Sequence, residues 1–233
     1  MTPPPSPSSR RRAPPSSQQE LLLRARALAG HSVAALAAAL QVAVPRESRR
    51  AKGFVGQLAE LALGADPEAG SRPDFPALGV ELKTIPVGQA GRPTGSTFCC
   101  GIAMAEADRA EWQGARLRQR LARVLWLPVT DARLRPLAER RFGAAQLWSP
   151  SPAEAALLRA DWEELMGWIG AGLGEALSAR MGVALQVRPK AASARVRTLA
   201  PGPDGVQRVL PLGFYLRPSF TAGILGQSVG GSV

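Results

Sequence analysis

Hydrophobic residues recur at helical spacing in the first part of the chain. The stretches "LLLRARALAG" and "VAALAAAL" predict two short amphipathic helices, because Ser17 and Glu20 form a capping-box pattern before the first and Ser32 can cap the second. A third apolar stretch, "FVGQLAELALGA", predicts a helix that ends near Gly64, since glycine is favoured just past a helix end. The N-terminal region is therefore expected to be helical.

Beyond these helices the apolar residues run in short, strand-like segments. "LGVELKTIPV" and "TFCCGIAMA" flank the Gly/Pro turn "GQAGRPTGS", and this order predicts a hairpin. Further strands are predicted at "VLWLPV", at the weaker "AAQLWS", at "VALQVRPK" and at "VLPLGFYLR".

Helical spacing returns twice in the second half. "WQGARLRQRLAR" is predicted to be helical. Ser151, Pro152 and Glu154 open the longest helical stretch, "AEAALLRADWEELMGWIGAGLGEALSARMG", which contains enough glycine to bend. This order of elements, without an internal repeat, indicates a mixed α/β (α+β) fold with a central, partly antiparallel sheet flanked by helices.

The bulk composition is that of an ordinary globular protein. At 233 residues and 45% hydrophobic content, the chain can build one sizeable domain or two small lobes around a cleft. Residues 1–16, a Pro/Ser/Arg tail, and residues 225–233 are expected to be disordered or flexible. No apolar run approaches the roughly 20 residues that span a bilayer, so we expect a cytoplasmic protein without membrane association.

The charge balance favours a polyanionic partner. The formal charge is +11, of which residues 1–50 supply +6 from eight arginines and two acids, leaving +5 for residues 51–233. Phosphate backbones attract such proteins through counterion release, so nucleic acid is the first expectation. Of the 29 basic residues only Lys52, Lys83 and Lys190 are lysines, which points to places where a compact ammonium group is needed.

Several other chemistries lack their residues. Cys99 and Cys100 are adjacent, which suits neither a disulfide nor a zinc site, and they are interpreted as reduced packing residues. His31 is the only histidine and lies at a predicted helix start, so histidine-dependent nuclease mechanisms are excluded. No Gly-rich Walker loop is present, so the chain is not expected to consume ATP.

The segment "DFPALGVELKTIPV" sets charges of both signs into a strand-like run. Alternate side chains of a strand share a face, so Glu81 and Lys83 point the same way, and the Pro and Gly of "FPALG" can bring Asp74 alongside. Two converging carboxylates suit Mg²⁺, and a lysine beside a metal-bound water can orient it or take its proton. The alternative from spacing alone, an edge-strand ion pair with Lys83 solvated, stays open.

Several motifs in order resemble the MutH family of strand-discrimination endonucleases from methyl-directed DNA mismatch repair, in the PD-(D/E)XK superfamily that includes many type II restriction enzymes. The resemblance runs from about residue 17 to about residue 224 and rests on "GFVGQLAELALGA", "DFPALGVELKTIPV", "TFCCGIA", "RVLWLPV", "LWSP…DWEELM", "LQVRPKAA" and "GFYLRPSFT". It implies a restriction-endonuclease-like fold whose two lobes, about 17–105 and 106–224, surround a DNA cleft.

The resemblance also implies an active site. The family's metal-binding acids fall on Asp74 and Glu81, its catalytic lysine on Lys83 and its helix acid on Glu60. Lys52 matches a lysine for which a phosphate contact or help with water activation is implied. Read locally, Glu60 is only a polar residue of an apolar helix and Lys52 only a loop cation.

A second set of implied residues reads DNA. The family's base-contacting "RPK" loop falls on Arg188, Pro189 and Lys190, and its methyl-sensing tyrosine on Tyr215, the only tyrosine in the chain. Arg120 stands where the family often has a lysine. The resemblance therefore implies that Arg120 can contact a phosphate but cannot fill a role that needs a neutral amine. The stretch "RLRQRLAR" that contains Arg120 is either a DNA-backbone face or a solvated helix.

The function implied is a Mg²⁺-dependent, monomeric endonuclease. It would bind double-stranded DNA at hemimethylated GATC, nick the unmethylated strand, and be activated by the ATPase MutL after MutS has found a mismatch. Two alternatives stay open at this point: a restriction-type enzyme that cuts both strands of GATC, and a non-catalytic DNA-binding protein of the same fold.

Overall fold

The computed structural model describes residues 12–46, 53–131, 134–178, 180–191, 193, 195–202 and 205–226. The predictions for Lys52, for residues 1–11 of the tail and for residues 227–233 lie outside this part of the chain.

Within the described residues the chain forms six α-helices and eight β-strands. The helices are α1 (Gln18–Arg26), α2 (Val33–Ala39), α3 (Phe54–Leu63), α4 (Arg116–Leu121), α5 (Pro152–Gly170) and α6 (Pro218–Gly226). The strands are β1 (Glu81–Val87), β2 (Thr97–Gly101), β3 (Val124–Thr130), β4 (Gln146–Trp148), β5 (Leu185–Pro189), β6 (Thr198–Gly202), β7 (Gly205–Val209) and β8 (Leu212–Leu216). The predicted mixed α/β class is confirmed, and β6, β7 and α6 are elements that the sequence patterns did not predict.

Helices α1 and α2 begin at the predicted capping residues, and α3 ends at the predicted glycine. Ser17 accepts a hydrogen bond from the backbone N–H of Glu20, and α3 ends at Gly64. The Glu20 carboxylate, however, accepts from Ser16, at 2.7 Å from both its N and its Oγ, so the reciprocal half of the capping box is displaced by one residue. These bonds, with the Arg24 guanidinium, lower the pKa of Glu20 to about 2.

The helices cover one face of a three-stranded sheet in the order β1-β3-β4. Strand β1 pairs with β3 in parallel over its whole length, and β4 pairs with β3 in the antiparallel sense. The apolar residues of α1, α2 and α3 form a core with Leu82 of β1 and with Leu125, Leu127 and Val129 of β3. Burial of these side chains, at about 25 cal/mol per Å² of apolar surface, holds the helices on the sheet.

The predicted β1–β2 hairpin is wrong. Strand β1 pairs with β3, from Glu81 opposite Val124 to Val87 opposite Thr130. Strand β2 pairs with β8 in a different sheet. The intervening Gly/Pro segment closes on itself instead, with the Gly88 N–H donating to the Arg92 carbonyl at 2.9 Å. The Gly/Pro segment does form a turn, as predicted, but the strands on either side of it pair with β3 and β8 and not with each other.

A second three-stranded sheet has the order β2-β8-β5, and β6 and β7 form a separate two-stranded ribbon. Helix α5 begins where Ser151, Pro152 and Glu154 predicted, and Ser151 and Glu154 form a capping box there. It ends at Gly170 instead of continuing through the whole predicted stretch, and a short 3₁₀ turn at Gly174–Ala176 follows. Glycines at positions 170, 172 and 174 account for the stop, because glycine costs about 1 kcal/mol in a helix interior.

Contacts between residues divide the described chain into two compact units. The first holds the described residues up to Thr94 together with Arg123–Trp148, and the second holds Gly95–Ala122 together with those from Ser149 onward. The expected lobes, 17–105 and 106–224, were contiguous in sequence, whereas each unit is built from two segments. No helix among the described residues has the length and apolar character needed to cross a membrane.

Candidate active site and DNA interface

Strand β1 carries the charged pair that the sequence singled out. The Lys83 Nζ donates to Glu81 Oε1 at 2.5 Å, so the two side chains do share a face. The Lys83 side chain is 14% exposed and the Glu81 side chain 1%. Lys83 is therefore not a solvated edge-strand cation, although β1 is an edge strand of its sheet. Burial strengthens the attraction between the charges, because less water screens them.

Asp74 reaches the same strand through a tight loop. Phe75 and Val80 exchange two backbone hydrogen bonds of 2.9 and 3.2 Å across the "PALG" turn, in which Gly79 adopts a left-handed φ of +64° that disfavours other residues. The turn places Asp74 Oδ2 at 2.8 Å from the Leu82 N–H, one residue from Glu81. The expected convergence of Asp74 on the Glu81–Lys83 strand is thus present.

Glu60 lies on α3, which packs directly on β1. A Cβ added at Gly56 of α3 would lie 3.6 Å from Thr84 Oγ1 of β1, and Glu60 follows Gly56 by one helical turn. Glu60 itself is half-buried. The structure thus brings Asp74 to the strand that carries Glu81 and Lys83. Glu60 lies on the helix that packs on the opposite face of this strand, the face of Leu82 and Thr84, while Lys52 lies outside the described residues.

The donor set fits a hard cation. Asp74 and Glu81 present carboxylate oxygens, the ligand type that Mg²⁺ prefers. In the part of the chain that the structure describes, no three His, Cys, Asp or Glu side chains gather into an enclosing metal site. A two-carboxylate site matches Mg²⁺ in particular, because this ion keeps several waters and takes substrate phosphate oxygens as further ligands.

Two tryptophans lie on the same face of the sheet as the charged pair, and neither was identified from the sequence. Trp126 of β3 lies opposite Lys83 in the parallel register and is fully buried, and Trp148 of β4 lies opposite Val124, the partner of Glu81. The two indole rings lie 6.0 Å apart. Opposed residues of neighbouring strands share a face, so these rings cover the face that carries Glu81 and Lys83. The sequence signal that could have identified Trp126 is the "LW" of "RVLW".

In the second unit, the predicted DNA-reading residues gather on one face of the β2-β8-β5 sheet. Gln186 and Arg188 alternate along β5, and Lys190 follows directly after its last residue. Tyr215 of β8 lies opposite Gln186, and Phe98 of β2 lies opposite Tyr215. We call these five residues the recognition cluster. Pro189 points to the other face by the same alternation.

Direct contacts connect the recognition cluster. The Phe98 and Tyr215 rings meet edge to face at 5.3 Å between centroids. The Lys190 Nζ lies 4.2 Å from the Phe98 centroid, and the Arg188 guanidinium lies 5.9 Å from that of Tyr215. Arg188 also donates from Nε to the Gln186 Oε1 at 3.0 Å. Two exposed cations are thus held over aromatic faces, which restricts their positions before any ligand arrives.

Tyr215 is half-buried and therefore not a core aromatic of the kind that Phe214 beside it represents. Desolvation by burial raises the pKa of Tyr215, the neighbouring Cys99 adds to the rise, and the Arg188 guanidinium opposes it. The phenol is neutral at physiological pH and can donate a hydrogen bond. Phe98 and Gln186 are members of the cluster that sequence reasoning missed, because the pairing of β2 and of β5 with β8 is not visible in the sequence.

The predicted Arg120 lies on α4, a helix that packs against β2. Arg120 is half-buried there, whereas Arg116 and Arg118 are exposed. Arg118 donates a hydrogen bond to the Gln113 carbonyl at 2.9 Å, so part of its guanidinium stabilises the turn before α4. The exposed arginines fit either a phosphate-contacting face or a solvated helix.

Known proteins resemble this chain over most of its length. Residues 63–161 match the family model described as "DNA mismatch repair enzyme MutH". The DNA mismatch repair protein MutH of Serratia proteamaculans is 48% identical over 210 residues, covering 89% of this chain and 91% of that protein. MutH of Vibrio cholerae is 50% identical over 208 residues, covering 88% and 93%. MutH of Klebsiella pneumoniae (strain 342) is 49% identical over 210 residues, covering 89% and 90%. The chain belongs to the MutH family of DNA mismatch repair enzymes, and it is therefore an endodeoxyribonuclease.

Proposed function

We propose that this enzyme binds hemimethylated GATC sites in double-stranded DNA and nicks the unmethylated strand in a Mg²⁺-dependent reaction that MutL activates. The observation that carries the proposal is the buried Glu81–Lys83 pair with Asp74 hydrogen-bonded to the same strand. The family's role in mismatch repair and the basic charge of the chain support DNA as the substrate.

The candidate active-site residues would divide the chemistry of phosphodiester hydrolysis among them. Asp74 and Glu81 would hold Mg²⁺, which when bound polarises the scissile phosphate and acidifies a coordinated water. As an ammonium, Lys83 would orient the attacking water and stabilise the charge that develops on the phosphorus oxygens; only as the neutral amine could it instead accept the proton of that water. Glu60 of α3 is proposed as a further active-site carboxylate, and Lys52 as a further phosphate or water contact.

The recognition cluster would read the base edges. Arg188 and Lys190 can donate to guanine O6 and N7 in the major groove, and a backbone carbonyl near Pro189 can accept from an adenine amino group. The N6-methyl group of adenine adds bulk at the base edge, which a rigid phenol at Tyr215 tolerates on one strand. Arg120 would contact the DNA backbone.

The proposal includes partners and location. The chain carries no Walker loop, so ATP-dependent activation would come from MutL, with MutS acting upstream through mismatch detection. Nicking of a single strand needs one active site, so a monomer suffices. A DNA-directed enzyme of this kind is expected in the cytoplasm.

A plasmid with one hemimethylated GATC site tests the proposal. The plasmid is incubated with enzyme and Mg²⁺, with and without MutL and ATP, and the products are separated as supercoiled, nicked and linear forms. We expect nicking of the unmethylated strand, accelerated by MutL with ATP. Linear product without MutL would favour a restriction-type enzyme, and unchanged nicking by Lys83→Ala would favour a DNA-binding protein with contaminating activity. Nicking of the methylated strand would also refute the proposal.

A further inference from the structure

A buried carboxylate in the second unit has no part in the chemistry proposed above. Asp161 of α5 is 4% exposed, and its oxygens accept three consecutive backbone N–H groups. The distances are 3.0 Å from Val183, 2.6 Å from Ala184 and 2.7 Å from Leu185. Leu185 is the first residue of β5, the strand that carries Arg188 and leads directly into Lys190. Asp161 therefore binds the start of the strand that reads DNA.

The backbone turns tightly to reach this carboxylate. Gly182 has a left-handed φ of +77°, and a Cβ there would lie 2.5 Å from the Leu185 carbonyl oxygen and 3.3 Å from Asp161 Cγ. Only glycine fits this position without displacing the strand or the carboxylate.

Arg217 holds the carbonyl side of the same turn. Its Nε donates to the Gly182 carbonyl at 3.0 Å and its Nη2 to the Met181 carbonyl at 2.7 Å, while its own N–H donates to the Ala184 carbonyl at 2.8 Å. Arg217 comes two residues after Tyr215 of β8. One turn is thus bound through its N–H groups by Asp161 and through its carbonyls by Arg217, and we call Asp161 and Arg217 the strand clamp.

The strand clamp lies where the two recognition strands meet. Leu185 of β5 is paired with Leu216 of β8, so the clamp fixes the register from which Gln186 comes to lie opposite Tyr215. A slip of one residue would turn Arg188 and Lys190 to the opposite face of the sheet and away from the aromatic rings. Loss of the carboxylate would also leave the N–H groups of Ala184 and Leu185 without their acceptor in a buried place, which favours rearrangement of the turn.

We propose that Asp161 and Arg217 are positioning residues for base reading, which set the register and placement of Arg188 and Lys190 against Tyr215. The inference rests on the proposed role of the recognition cluster. A reading site must be held within about 0.5 Å by its supporting residues, and the clamp supplies that support from one end of β5.

The variants Asp161→Asn and Arg217→Lys test the proposal, with Arg159→Gln as the matched control. Arg159 lies on the same helix as Asp161 but forms an exposed ion pair with Glu163, with side chains 52% and 48% exposed. For each protein, kcat/KM for nicking is measured on a hemimethylated GATC plasmid and on plasmids with one base pair of the site changed. Thermal unfolding and the active fraction are measured in parallel.

We expect both clamp variants to lose about tenfold in the preference for GATC over the changed sites, the size of one misplaced base contact. The control should keep the wild-type preference. A purely structural role would lower the melting temperature or the active fraction but leave the ratio of the two rates unchanged. Folded clamp variants with the wild-type ratio would therefore overturn the proposal. Unfolding of both variants would also count against it, because the clamp would then serve the whole unit. Absence of GATC preference in the wild-type enzyme is a separate result, which refutes the proposed function itself.

Discussion

Replacing Lys83 by methionine separates the two roles that the Glu81–Lys83 pair combines. Lys83→Met keeps most of the aliphatic stem and removes the ammonium, so the packing against the neighbouring strand changes little. Glu81, whose side chain is 1% exposed, then loses the cation that lies 2.5 Å from its Oε1. Both the stability of the first unit and the nicking reaction should respond, but for different physical reasons.

The expected loss of stability is about 3 kcal/mol, the lower end of the range for removing one partner of a buried ion pair. The lower end applies because Lys83 keeps 14% of its side chain exposed and water screens part of the interaction. For a chain of this size each kcal/mol corresponds to roughly 2–4 °C in melting temperature, so a decrease of about 6–12 °C is expected. Nicking should fall by about 10³-fold, since the variant loses the amino group that orients the water or takes its proton and that, when charged, stabilises the charge on the phosphorus oxygens.

The double variant Glu81→Gln/Lys83→Met gives the sharper measurement. Without a buried carboxylate to satisfy, the methionine and the amide should recover at least about 2 kcal/mol of the lost stability, because neutral replacements of buried pairs are often tolerated. Nicking should stay as low as in the single variant. Thermal unfolding followed by circular dichroism and nicking of a hemimethylated plasmid measure the two quantities on the same samples, and Arg159→Gln again serves as the exposed-pair control, with a change below about 1 kcal/mol.

Two results would refute the reasoning. If Lys83→Met unfolds at the wild-type temperature, the pair does not stabilise the buried carboxylate. If the double variant is no more stable than the single one, the loss arises from packing around residue 83 and the electrostatic explanation fails.

Three further predictions follow from the same geometry. Lys190→Ala should relax sequence preference at one position of the site by about 1–3 kcal/mol, and a uniform loss of affinity on all sequences would instead indicate a phosphate contact. Absorbance at 295 nm should show the single tyrosine titrating above pH 10 in the folded protein and near pH 10 in denaturant, because burial raises the pKa of Tyr215. The stability linked to neutral Tyr215 is then complete below about pH 10 and is lost as the pH rises further, a loss that Tyr215→Phe should remove. Chelation of Mg²⁺ by EDTA should abolish nicking and leave GATC binding measurable in a gel-shift assay, whereas full activity in EDTA would contradict the metal proposal.

The parts of the site that could be predicted from the sequence are those set by local geometry. Glu81 and Lys83 are two residues apart on one strand, so period-two alternation alone places them on the same face. The approach of Asp74 required only a short loop with Pro76 and Gly79, which the sequence displays. The helix starts at Ser32 and Ser151 could be predicted for the same reason, because a capping side chain binds a backbone N–H only three residues away.

The parts that could not be predicted depend on partners distant in the chain. The sequence suggested that β1 would pair with β2, its neighbour, yet β1 pairs with β3 and β2 with β8. The presence of Phe98 in the recognition cluster follows from that second pairing and from nothing in the local pattern. Trp126 could not be assigned to the site for the same reason, since its position opposite Lys83 depends on the parallel register of β1 and β3.

The two candidate sites hold a lysine in place with different partners. A cation that acts on a phosphate or a base edge must be positioned, and where it is buried its charge must also be compensated, because an uncompensated buried charge is costly. In the first unit the compensation is a carboxylate, with Trp126 alongside, and Lys83 is largely buried. In the second unit the compensation is the aromatic face of Phe98 beneath Lys190, which leaves the ammonium exposed. The difference fits the tasks: a carboxylate partner can also bind a metal, whereas an aromatic partner holds a cation without neutralising the charge that must meet DNA.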